Sequence, residues 1–394
     1  MEAPSGRYAE MAERELTTTD PYPEWAVGRA AGVEVVDDGG GGRHVSIFCR
    51  SDTEYVLRRS DVFSSRQLQA SIGTFMGPVM LGMDGDQHTT YRKLVSPAFR
   101  ASALARWEEQ LLLPILNDLL DGLAPRGRAE IVGDLTSKYA TRVIAGVMGV
   151  PAEDAEQIHR WAIEITAGPF SPDVGHAAAA AMREYLRPLV EERKRRPRDD
   201  LLSDIVHAAV GGARLDDEHI YGFLRLLMPA GAETTYRMLG ITLLVLLQRP
   251  DWVARVRADR SLIPRVVEET LRWDSSAPLA ERVAVEDTEI AGCPVPAGTR
   301  VSLTMASANR DETVYDRADE WDPGREVNPP HIAFGVGRHL CLGMHLARLE
   351  LRVGLNAILD RLANLRLDPD EPDPVVRGVA FRGPDRLSVL FDPE

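Results

Sequence analysis

Between Asp84 and Arg272 apolar residues recur at three- and four-residue spacing with little interruption, which restricts this part of the chain to packed helices. Ser102 to Leu123, Ile131 to Gly149, Asp154 to Ala167 and Gly175 to Arg196 each read as an amphipathic helix. The longest is expected to start at an Asp216 cap and to run to Gln248, ending before Pro250. Strand patterns are confined to the flanks. Val33–Val36 and His44–Phe48 bracket Asp37-Asp38-Gly39-Gly40-Gly41-Gly42 and predict a hairpin. No helix opens after these glycines and no G-K-[ST] follows them, so a phosphate-binding loop is excluded. Short strands return at Arg282–Val285 and Thr299–Thr304, and the tail alternates near Leu387–Phe391. No linker and no internal repeat divides residues 1–394. The expectation is a single large domain, mainly α, in which N- and C-terminal strands form a small β-rich part.

Composition narrows the class of function. The chain has 44% hydrophobic residues, but no apolar run approaches the twenty or so that cross a bilayer. Met1 to Asp20 is polar and acidic, so neither a signal peptide nor a membrane anchor is expected there. Cys49, Cys293 and Cys341 are far apart and odd in number, which points to a reducing cytoplasm rather than a disulfide framework. A net charge of −14 argues against nucleic-acid binding. The basic run Arg193–Arg198 is flanked by Glu191, Glu192, Asp199 and Asp200 and reads as a solvated helix end.

Two stretches carry chemistry. In Phe334-Gly335-Val336-Gly337-Arg338-His339-Leu340-Cys341-Leu342-Gly343 a lone thiol sits in a glycine-rich turn ahead of an apolar helix. Glycines let backbone approach a flat macrocycle where a Cβ would collide. Amides around the sulfur and the start of the next helix favour thiolate over thiol. These are the requirements of a haem-iron ligand, and His339 is placed to reach a haem carboxylate. The second stretch, Met228-Pro229-Ala230-Gly231-Ala232-Glu233-Thr234-Thr235, lies inside the long helix, where proline removes a ladder donor and glycine costs about 1 kcal/mol relative to alanine. Against a haem face the composition makes sense. Ala230 and Gly231 would leave room for a diatomic ligand, and Glu233 and Thr234 are an adjacent acid and alcohol able to relay protons.

The cysteine loop and the acid–alcohol pair resemble those of the cytochrome P-450 family, and two further motifs fall in the family's order. His88 and Arg92 form His-x-x-x-Arg, and Glu269 and Arg272 form Glu-x-x-Arg. The resemblance spans essentially the whole chain, and by it the protein is identified as a soluble, bacterial-type member. It implies the cytochrome P-450 fold and haem b, with Cys341 as iron ligand and His88, Arg92, Arg282 and His339 as partners of the haem carboxylates. Phe334, Gly335 and Gly343 belong to the haem loop by the same resemblance. It also implies that Glu269 and Arg272 join a downstream arginine, here Arg325, to brace the loop leading to the cysteine. Glu326 departs from the aromatic residue usual after that arginine.

The implied reaction inserts one atom of dioxygen into a mostly apolar organic substrate, in secondary metabolism or catabolism. No flavin, nicotinamide or iron–sulfur motif is present, so a ferredoxin or flavodoxin is the expected donor, docking near Arg100, Arg106, Arg338 and Arg348. Expected substrate contacts are Ile72, Phe75, Met76 and Val79, then Phe170, Leu227, Leu279 and Ala280, with Ala230 on the helix wall. Oxidative coupling, peroxide-driven oxidation and a non-catalytic haem sensor or carrier remain as alternatives.

Overall fold

The computed structural model describes residues 14–37, 43–325 and 329–394. The glycine turn at 38–42 and Glu326 lie outside the described residues. The helices that position the site are α1 (Gly85–Val95), α2 (Ser137–Met148), α3 (Ala155–Thr166), α4 (Pro172–Arg195), α5 (Asp217–Leu247), α6 (Ile263–Trp273) and α7 (Met344–Arg361). The principal strands are β1 (Glu34–Asp37), β2 (Arg43–Ile47), β3 (Phe63–Ser64), β4 (Arg128–Glu130), β5 (Leu279–Ala284), β6 (Arg300–Thr304), β7 (Ala363–Leu367) and β8 (Ser388–Asp392).

The expected long helix forms as α5. Its Asp216 cap accepts the His219 N–H at 2.9 Å, satisfying one of the orphan donors of the first turn. α5 packs on α2, α3, α6 and α7, and most of its side chains are buried in the main helical core. The helix runs through Pro229. Among the described residues of α5 only Ala230 is exposed, although Met228, Pro229 and Ala232 beside it are buried.

The two arms of the expected hairpin pair antiparallel, with Val36 opposite His44 and Asp37 opposite Arg43. The larger sheet runs β1-β2-β6-β5-β3, and β2 pairs with β6 in parallel. Period-2 alternation buries Val45 and Ile47 of β2 against Val301 and Leu303 of β6, in a core separate from the helical one. A smaller sheet, β4-β8-β7, ties the chain's last strand back to residues 128–130. β5 leads Arg282 in from this β-rich part, and α1 brings His88 and Arg92 from the helical part.

Candidate functional site

The cysteine loop is held at both ends. The Cys341 N–H donates to Phe334 O at 2.9 Å, and Gly335 N–H donates to Ile332 O at 2.9 Å. Gly335 (φ +71°) and Gly337 (φ +76°) adopt the left-handed backbone that glycine alone enters freely. A Cβ on Gly337 would also lie 2.7 Å from Leu57 O. A Cβ on Gly343 would meet nothing, so no packing of the chain itself requires glycine there.

Burial pushes the Cys341 thiol up, against the opposing pull of the Gly343 and Met344 amides and of Arg92 and Arg348. Cys341 is itself exposed on this loop, and the Gly343 and Met344 amides pull its thiol in the direction expected of a thiolate ligand.

Basic side chains adjoin this loop. Arg92 Nη2 donates to Leu340 O at 2.7 Å, next to the thiol. The His339 and His88 rings stack with centroids 4.2 Å apart. His339 Nε2 lies 3.7 Å from Asp84 Oδ1 and 3.3 Å from Ser65 Oγ. Asp84 turns its carboxylate onto Ser64 Oγ at 2.5 Å and the Ser65 N–H at 3.2 Å. Bonds from His339, Ser64 and Ser65 hold its carboxyl at about 2, against the opposing effect of burial. Burial first, then His339 and Arg92, pulls the His88 imidazole down to about 4. Burial likewise lowers Arg282, 5% exposed, to about 10, with the charge of Asp84 opposing it. His88 Nε2 is buried without a hydrogen-bond partner.

Asp84 thus faces His339 and Arg66, with the charge of Arg282 acting on it, beside the orphaned ring nitrogen of His88 and the Cys341 loop. The Arg92 and Arg282 guanidiniums and the unpartnered His88 Nε2 fit a ligand with carboxylates of its own, because an unpaired buried charge costs several kcal/mol. The residues present fit haem b.

On the long helix, Thr234 Oγ1 donates to Ala230 O at 2.9 Å. Glu233 does not bond to Thr234. Its Oε1 lies 3.0 Å from His159 Nε2 of α3, and its Oε2 accepts from Tyr236 OH at 3.0 Å and from Arg237 at 3.4 Å. These partners lower the Glu233 carboxyl although burial opposes them. Gly231 also differs from its reading as room for a diatomic ligand. The position of its missing Cβ is 2.7 Å from Ile144 of α2, so the glycine serves close helix packing and the opening falls at Ala230.

The brace is complete. Glu269 and Arg272 form a two-pronged pair at 2.8 Å with both side chains buried, and Arg325 Nε reaches Glu269 Oε1 at 3.4 Å. Arg272 also donates to the carbonyls of Asn309, Ala318 and Glu320. Asn309 Oδ1 in turn accepts the Ile332 N–H at 2.7 Å, two residues before Phe334.

Of the proposed substrate contacts, Phe75, Met76 and Val79 are buried in the helical core, with Ile72 packed against it. Phe75 lies against Gly168, Gly175 and the His176 ring. Leu227, Leu279 and Ala280 are half-buried, and Phe170 is exposed. Arg100 and Arg348 line a groove of about 700 Å³ with His345 and Arg352. Arg106 is not among its lining residues and pairs with Asp199. Sequence reasoning missed His159 and the role of Asp84. His159 stands in no motif, and its partner is 74 residues away.

Comparison with known proteins agrees with this geometry. The family model for cytochrome P-450 matches residues 172–387. Cytochrome P-450 107B1 of Saccharopolyspora erythraea is 35% identical over 318 residues, covering 80% of this chain and 77% of that protein. The chain belongs to the cytochrome P-450 family. The steroid C26-monooxygenase of Mycolicibacterium smegmatis is 34% identical over 324 residues, covering 80% of each protein. Among solved structures, CYP109E1 from Bacillus megaterium in complex with testosterone superposes with a TM-score of 0.86 at 29% identity, covering 95% of this chain and 99% of that one. As a cytochrome P-450, the protein binds haem b and is a monooxygenase that inserts one atom of dioxygen into a mostly apolar organic substrate. Among the described residues no helix is long and apolar enough to cross a membrane.

Proposed function

We propose that Cys341 ligates the haem iron and that Arg92, Arg282, His88 and His339 hold the haem carboxylates, within one catalytic domain spanning residues 1–394. The observation that carries this reading is the cluster of basic side chains around the unpartnered His88 Nε2, which adjoins Cys341 through the Arg92 bond to Leu340 O. The haem supplies reductive activation of dioxygen, and a thiolate ligand favours O–O cleavage.

The chain's own residues do the rest. Ala230 leaves the small opening on α5 where dioxygen reacts, and Phe334, Gly335 and Gly343 shape the loop on the sulfur side. Thr234 orders the proton path at the reacting oxygen, and Glu233 brings protons to it. Leu227, Leu279 and Ala280 give the substrate an apolar wall, which suits a steroid- or fatty-acid-like molecule. Phe75, Met76 and Val79 support the segment that covers it, with Ile72 and Phe170 at its margins. Electrons come from a ferredoxin or flavodoxin in the cytoplasm, docking at the groove bearing Arg100 and Arg348.

Haem content per folded protein tests the carboxylate assignment. Arg92→Leu and Arg282→Leu should each lower occupancy, since each leaves a haem carboxylate poorly paired where water is excluded. Full occupancy in both variants would overturn it.

A further inference from the structure

We propose that Arg225 is a positioning residue that fastens residues 73–79 and α4 to α5, and so sets how long substrate is held. This rests on the reading of Phe75, Met76 and Val79 as support for the cover over the substrate, and names what holds that cover down. Arg225 Nη1 donates to Met76 O at 3.0 Å, and Nη2 donates to Ala179 O of α4 at 2.9 Å. The side chain is 5% exposed, and its Nε is buried without a hydrogen-bond partner. Both bonds go to carbonyl oxygens rather than to a carboxylate, and burial lowers the pKa of the guanidinium. An apolar side chain would fill such a place with no charge to desolvate. What the arginine adds is a planar fork whose N–H groups reach two carbonyls at once.

The face of α5 around Arg225 is shaped as a seat for this segment. A Cβ on Gly222 would lie 2.2 Å from Pro78 O, and one on Gly77 (φ +87°) would lie 3.6 Å from Arg225 Nη1. Backbone therefore approaches backbone closely here. Gln69 braces the segment, its Nε2 donating to Gly77 O at 3.1 Å and its Oε1 accepting the Val79 N–H at 3.0 Å. Phe75 joins it to the start of α4 through Gly175 and the His176 ring. Arg225 then ties this joined pair to the long helix. At about 100° per residue it points roughly 140° away from Ala230 around α5. It therefore acts from behind the cover and takes part in no chemical step. With the fork in place, the segment and α4 leave α5 only together. Without it, each lifts separately and substrate escapes sooner.

The test compares Arg225→Met and Arg225→Lys with the wild type, all haem-loaded. Methionine has no donor, and lysine keeps the charge but as a point donor that does not span both carbonyls. The direct readout is amide hydrogen exchange, followed by mass spectrometry in peptides covering residues 70–80 and 172–183, with residues 137–148 of α2 as control. Exchange in both test peptides should quicken at least about tenfold in Arg225→Met and by less in Arg225→Lys, with the control unchanged. The second readout is the dissociation rate of testosterone or myristic acid, whichever shifts the Soret band. It should rise about tenfold in Arg225→Met, and KM should rise with it while kcat stays within about twofold. If exchange in either test peptide matches the wild type, Arg225 is not the tie and the proposal falls. Should Arg225→Met not fold, Arg225→Lys decides by the same comparison. If exchange quickens in both peptides but the probe leaves at the wild-type rate, the reading of Phe75, Met76 and Val79 as support for the cover fails instead.

Discussion

Glu269→Gln should destabilise the protein and loosen its haem, although the substituted residue touches neither the cysteine loop nor the cation cluster in any contact described above. Glu269 is 1% exposed and supplies the countercharge for Arg272, 0% exposed, and for Arg325. Its Oε1 also accepts the Asp322 N–H at 2.9 Å. Removing one partner of a buried pair leaves an uncompensated charge, at a cost of roughly 3–5 kcal/mol. With an unfolding entropy of about 2.1 cal/mol/K per residue over 394 residues, that corresponds to a fall in Tm of roughly 4–6 °C. The Arg272 bonds to Asn309, Ala318 and Glu320 and the Asn309 bond to Ile332 carry the disturbance to the cysteine loop. Thermal unfolding followed by far-UV circular dichroism gives the stability loss, and loss of the Soret band gives haem release. Haem release should shift by at least as much as unfolding. A Tm within 1 °C of wild type, with unchanged haem release, would refute the view that this buried pair braces the cysteine loop.

Thr234→Ala should still consume oxygen and reducing equivalents but divert much of them to hydrogen peroxide, measured as product and peroxide per cofactor oxidised. Glu233→Gln should instead slow the whole cycle, roughly a hundredfold to ten-thousandfold, with haem content intact in both. Glu350 is buried with Oε2 unpartnered, and burial raises its carboxyl well above the ordinary 4.5. The folded state then holds a proton that the unfolded state releases, so the stabilisation is complete below pH 4.5 and declines as pH rises toward the folded value. Glu350→Gln lacks this titration. Denaturation series from pH 4.5 upward should show the wild type losing about 1.4 kcal/mol per pH unit relative to the variant, and parallel curves would contradict the assignment.

What the sequence made legible was local or motif-bound. The α5 cap at Asp216, the helical run from Asp84 and both hairpin arms follow from spacing and propensity within a few residues of chain. Arg325 was named from its motif and does reach Glu269, 56 positions away. Contacts set only by packing between helices were not legible. The Glu233–His159 bond depends on α3 lying across α5, and nothing around His159 announces it. Gly231 looked like part of the haem face because of its neighbours, yet the side from which its Cβ is missing faces Ile144. Asp84 directly precedes α1, yet its side chain makes no cap bond there and faces His339.

The most direct test of the account is the absorption spectrum of the reduced, carbon monoxide-bound protein in three single variants. Cys341→Ser should lose the strongly red-shifted Soret band of thiolate ligation, while Cys49→Ser and Cys293→Ser, both half-buried, should keep it. A band that survives in Cys341→Ser, or disappears in either of the other two, would contradict Cys341 as the iron ligand.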